Sequence, residues 1–261
     1  MSNKQYARTF AALAYRDFKF IMSELHTRII DGMVIAVMQI LVIAYFLPIL
    51  GMPADLIGPL FIGMLTQIVF SAGFNISFKY ANDLNFNKFI NYQMALPLPK
   101  LWLFAQIVLS FMIELMMVTL PIIAFGSIAL SSSLPINPAS WILVVVMYLL
   151  NLLLYTLLFL HIAFSSSYIW FLDNVWARRL TPLFFFGCGY YTWKKLLNFN
   201  AGLAYLFLLN PITYVHEGLR AALFGQEHYL PLWICMIAVM LICVGLAYLL
   251  SRAIKKRLDP V

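Results

Sequence analysis

Charged side chains make up only 10% of this 261-residue chain, while 64% of its residues are apolar. A water-soluble domain of this size neither needs so much apolar surface nor survives on so little charge, so the soluble globular classes are excluded. Cysteine is scarce too. Cys188, Cys235 and Cys243 all fall in apolar segments, at spacings that suit neither a disulfide framework nor a zinc site, and they read as small core residues. No lysine is followed by Ser or Thr, so the phosphate-cradling G-x-x-x-x-G-K-[ST] loop is absent. The stretch "HEGLR" begins like the zinc motif H-E-x-x-H but carries Arg220 where the second histidine belongs, and "GCGYYT" lacks the third glycine of a dinucleotide loop. No G-x-S-x-G elbow occurs. The sequence therefore predicts no catalytic residue, no metal site and no cofactor bound by this chain. The N-terminal residues contain no compact apolar region followed by a cleavage site, so the first span is expected to direct insertion.

What the chain does have is long apolar runs. A helix needs about 20 residues to cross about 30 Å of hydrocarbon, and the alternation of a barrel strand is missing. The expected fold is an all-α membrane protein, one domain over 1–261, with six transmembrane helices at about 29–50, 56–78, 101–125, 139–170, 178–193 and 230–251. Turn chemistry such as "PILGMPAD" and "SSSLPINPAS" separates them. With both termini cytoplasmic, Lys and Arg number five in 1–28, three in 79–100, two in 173–179 and four in 252–257. That places fourteen of the seventeen inside and leaves Lys194, Lys195 and Arg220 outside. This is the positive-inside bias, and it accounts for the net charge of +7 without a nucleic-acid partner. Within 4–28, Phe10, Ala14, Phe18, Ile21 and Leu25 recur at steps of three or four, opposite Lys4, Arg8, Arg16 and Lys19. Residues 1–28 are thus expected to form an amphipathic helix lying on the membrane lipid, although Asp17 and Glu24 interrupt the stripe; a solvated helix leading into the first span fits the same residues.

Between the last two predicted spans, the apolar run 201–209 and the segment 212–224 are each too short to cross. Two half-length helices separated by Asn210-Pro211 point to a re-entrant hairpin over 194–228. Asn210 can cap the second half-helix, Pro211 suits its first turn, and Gly225 suits its far end. His216 and Glu217 lie four and three residues before Arg220, within reach of its guanidinium.

"LNPITYVHEGLRAALFG", just before a last span, resembles the Asn-Pro-apolar-Thr-Tyr…Glu-x-x-Arg signature of the permease subunits of ABC type-2 exporters. "ANDLNFNKFINYQMALPLPKLWLFAQIV" is similar to the cytoplasmic segment of that family between spans two and three. The resemblance covers essentially the whole chain. It implies a second permease copy, identical or related, and a separate ABC ATPase subunit that holds the ATP and Mg. It also implies residence in the cytoplasmic membrane and no enzymatic activity of the chain by itself. Residues 82–97, with Asp83, Asn85 and Lys88, would be the helix received by the ATPase. Asn210, Pro211, Tyr214, Glu217 and Arg220 would belong to a re-entrant gate closing the outer end of a path for an amphipathic, lipid-linked or hydrophobic substrate. Glu217 and Arg220 fit equally a local ion pair that merely holds the hairpin together. Tyr190, Tyr191 and Trp193 fit either an aromatic collar on that path or the ordinary interfacial belt.

Glu114 falls in the middle of the third predicted span, where a carboxylate must be protonated, paired or beside water. It fits a role in the path, an ion-coupled carrier or channel, or a structural hydrogen bond. Gln39, Gln67, Gln106, Asn151 and His161 read as interhelical contacts. A lipid-modifying enzyme using His161, His216 and Glu217 is the third alternative.

Overall fold

The computed structural model describes residues 3–53, 56–87, 90, 99–131, 134, 136, 138, 141–166 and 174–258. Its elements are helices, and no strand occurs among the described residues. They are α1 (Asn3–Leu41), α2 (Ile57–Asn82), α3 (Lys100–Ala129), α4 (Trp141–Ser165), α5 (Thr181–Phe185), α6 (Trp193–Phe199), α7 (Ala201–Phe207), α8 (Pro211–Phe224) and α9 (Leu232–Leu258). Among the described residues, five stretches are long and apolar enough to cross a membrane: Tyr6–Ile49, Ile57–Asn87, Lys100–Ala129, Trp141–Ser165 and Leu232–Lys256. That is the character of a multi-pass integral membrane protein.

The predicted break between a surface helix 1–28 and a first span is absent. Residues 3–31 contain neither proline nor glycine, and the helix Asn3–Leu41 runs unbroken through the expected junction, with Arg28 paired to Glu24 at 2.6 Å in the turn just before it. One helix of about 58 Å results, longer than the hydrocarbon layer is thick. Part of the apolar stripe of its first half packs on protein: Leu13 on Leu103, and the Phe10 ring edge-on to Trp102.

Beyond Leu41 the helix passes through a π-turn, Val42–Phe46, before Pro48; a second π-turn, Trp176–Leu180, precedes Pro182. Proline has no N–H, and its ring crowds the carbonyl four residues back; widening the preceding turn accommodates both effects.

Packing fixes the direction of each helix. α1 and α3 run parallel, with Arg28 on Glu114 and Gly32 against Ile122. α2 runs against them, placing Phe61 on Gly126 and Lys79 by Glu114. α4 and α9 start at the same end as α2, where Gly218 of α8 is wedged between Met147 and Cys235. α2 is the central helix and is buried along most of its length, whereas α1 and α9 expose large apolar side chains such as Ile30, Met38, Leu241 and Val244.

The fifth predicted crossing, 178–193, is helical only as far as Phe185; residues 186–192 form a turn. This segment nonetheless runs beside α2 in the opposite direction, from Trp176 against Phe74 to Gly189 against Gly63. Of the segment 82–97, Asp83–Asn87 is a π-helical continuation of α2. Asn82 ends α2, and from Lys88 onward that segment, Ile90 excepted, lies outside the described residues.

Candidate functional site

Two clusters of charge lie at opposite ends of α2, one fully buried and the other with only its central glutamate, Glu114, buried. At its start, three short helices, α6, α7 and α8, are each opened by a side-chain cap. Thr192 accepts from the Lys195 amide, Asn200 from Leu203 and Asn210 from Ile212, and Pro211 occupies the first turn of α8. Gly225 ends α8 at φ 91°, a conformation that L residues rarely adopt. The expectations for Asn210, Pro211 and Gly225 are met, and the Thr192 and Asn200 caps are additional.

α8 presents His216, Glu217 and Arg220 to the interior, all fully buried. The Arg220 guanidinium donates to the carbonyl oxygens of Pro59 (2.9 Å), Cys188 (2.7 Å), Gly189 (2.6 Å) and Tyr191 (2.9 Å), and to Glu217 (3.1 Å). Glu217 also accepts from the Trp193 and Leu230 amides. One ion pair thus ties the start of α2, the 186–192 turn, the start of α6 and the lead into α9. Every N–H direction of the guanidinium is used, which is how a buried charge is tolerated.

His216 does not join this pair. Its Nδ1 faces the Gly187 carbonyl at 2.5 Å and must donate to it; Nε2 is left to accept from the Thr66 hydroxyl at 2.6 Å. Burial, reinforced by the Arg220 charge, pushes the imidazole down to about 3, so it stays neutral. Tyr214 is half-buried against the core. The aromatic residues assigned to a path are dispersed: Tyr190 donates to Gln67, Tyr191 to the Phe185 carbonyl and the Trp193 indole to the Ala204 carbonyl. Glu114 is remote from all three. It meets Lys79, twelve residues from Gln67 and therefore about 18 Å farther along α2.

The second cluster surrounds Glu114. Arg28 lies 2.5 Å and Lys79 3.9 Å from its carboxylate, and Arg28 also holds Glu24. Nearby, Asp17 accepts from Gln106 and from Ser110. These groups line a cleft of about 630 Å³ between α1, α2 and α3. Glu114 is central in its own helix, yet it sits level with Lys79 near the end of α2 and with Arg28, which precedes the apolar stretch of α1. Its charge is therefore paired, not isolated among apolar helices. In the sequence Arg28 and Lys79 read only as flanking cations; the available signal was that each stands at the edge of an apolar run while a third helix carries an acid. Removing one partner leaves the others uncompensated. In a double-mutant cycle, E114A and R28A are expected to couple by about 0.5–3 kcal/mol, read from unfolding in detergent. Strict additivity would mean that the pair contributes nothing.

Asp83 accepts from the Ile90 amide at 2.8 Å and Asn85 donates to the Ala81 carbonyl at 2.6 Å, so both brace the end of α2. Among the described residues no group of three or more His, Cys, Asp or Glu is gathered to hold a metal ion. No protein-family model, curated protein or solved structure matches this chain.

Proposed function

We propose that this chain is the transmembrane permease subunit of an ABC type-2 exporter. It pairs with a second permease copy, works with a separate ATPase that holds ATP and Mg, and forms a path out of the cytoplasm for an amphipathic, lipid-linked or hydrophobic substrate. Six crossings with both termini cytoplasmic go with this reading; the segment 174–192, running beside α2 in the opposite direction, supports the sixth. Helices α6, α7 and α8 form the re-entrant unit at the outer end. The single observation that carries the proposal is the Glu217–Arg220 cluster. An ion pair three residues apart on α8 reaches back to α2 and forward to α9, so movement of the outer unit is mechanically joined to the two helices that flank it. The chain contributes two packings of one bundle, not bond chemistry, and ATP binding elsewhere selects between them.

The test is co-purification. A tagged chain extracted gently from native membranes is expected to bring down a P-loop protein, and charge reversal at Asp83 and Lys88 is expected to release it. A stable oligomer without any ATPase under the same conditions overturns the proposal.

A further inference from the structure

The groove between α1 and α2 holds two adjoining cavities that share Arg28 in their walls. One is the cleft around Glu114; the other, of about 310 Å³, lies farther along α1. Ile35, Ile68, Ala72 and Val118 give the smaller cavity an apolar wall, and Asp31 and Asn75 stand at its polar side. Both polar residues are exposed on helices long and apolar enough to span a membrane. A carboxylate in such a place requires a counter-charge or water.

Arg28, three residues before Asp31 on the same helix, has the spacing to supply that charge. Its guanidinium is instead engaged by Glu24 and Glu114, at 2.6 and 2.5 Å. Asp31 consequently forms no ion pair or hydrogen bond with any described residue. The walls of the two cavities together carry five carboxylates against three cations, a local acidic excess in a chain whose net charge is +7. The adjoining cleft adds a further acceptor: Gln106, 1% exposed, lines it with a carboxamide oxygen that meets no donor. A cavity of this size, mostly apolar with a few convergent polar groups, is of small-molecule class.

We infer that the smaller cavity binds an amphipathic ammonium compound. The protonated amine pairs with Asp31 and donates to Asn75, and the apolar body lies on Ile35, Ile68, Ala72 and Val118. As a class of transported substrate this rests on the permease reading. As a binding site it does not, and the test reads binding to this chain alone, so either can fail without the other.

The probe is radiolabelled propranolol, a secondary ammonium on a naphthyl body, titrated onto the purified full chain in phosphatidylcholine nanodiscs with empty nanodiscs subtracted. Saturable binding is expected, displaced by unlabelled propranolol and not by uncharged 1-naphthol. Asp31→Asn is expected to weaken it about tenfold or more, the loss of one charge-assisted contact, and Asp31→Glu to retain it. Ala72→Phe, which fills the apolar side, is expected to remove it. Gel filtration matching wild type identifies the folded variants, and Ala72→Phe carries the test if Asp31→Asn does not fold. Absence of saturable binding, equal displacement by 1-naphthol, or unchanged affinity in the folded variants overturns the inference.

Discussion

Arg220→Ala is expected to remove the folded protein from the membrane fraction, or to lower its unfolding temperature more than any other single truncation in α8. The arginine is fully buried and its guanidinium is shared among four backbone carbonyls and the Glu217 carboxylate. Truncation leaves all five acceptors short of a donor and Glu217 as a buried charge with only two amides to hold it. Breaking a buried pair in this way costs about 3–5 kcal/mol, a large share of a typical folding free energy. Arg220→Lys keeps the charge but not the planar fork, and an ammonium cannot serve Pro59 on one side and the 188–191 turn on the other. It is expected to fall between wild type and Arg220→Ala. Thermal unfolding in detergent, with yield from membranes, measures both. An Arg220→Ala protein that melts with wild type would mean the cluster is not what holds this end together.

The second large effect is expected from a methyl group. A Cβ added at Gly63 would lie 1.9 Å from the carbonyl oxygen of Gly189 and 2.9 Å from its carbonyl carbon. Both are backbone atoms, so no rotamer relieves the clash. The turn cannot retreat either, because Arg220 holds it through the Cys188 and Gly189 carbonyls, and Cys188 already sits at φ 60°. Overpacking typically costs about 1–3 kcal/mol. Gly63→Ala should lie at or above the upper end, with loss of the Arg220 contacts added. Gly218→Ala is the internal comparison. Its nearest obstruction is the flexible end of Met147 at 2.5 Å, followed by the Cys235 Cβ at 3.0 Å, so a smaller drop is expected in the same unfolding measurement. Equal effects at the two glycines would show that the α2–turn contact yields more readily than its geometry implies.

What was legible in the sequence was what rests on neighbours along the chain. The apolar runs announced the long helices because crossing hydrocarbon demands length and hydrophobicity alone. Asn210 and Pro211 announced the start of α8 because a cap needs a side-chain oxygen two residues from an amide, and Glu217 announced Arg220 because three residues return to the same helical face. Tertiary structure decided the rest. Arg220 finds the Pro59 carbonyl 161 residues away, and His216 finds Thr66 at a separation of 150; a backbone carbonyl has no sequence signature, and one threonine looks like another. The same limit hid the cations around Glu114, since Arg28 and Lys79 become its partners only when α1 and α2 pack on α3. The amphipathic stripe of residues 4–28 was read as facing lipid, with a solvated helix as the alternative, and packing placed part of it on protein instead when Phe10 met Trp102. Periodicity states which face of a helix is apolar; only the assembled bundle states what that face touches.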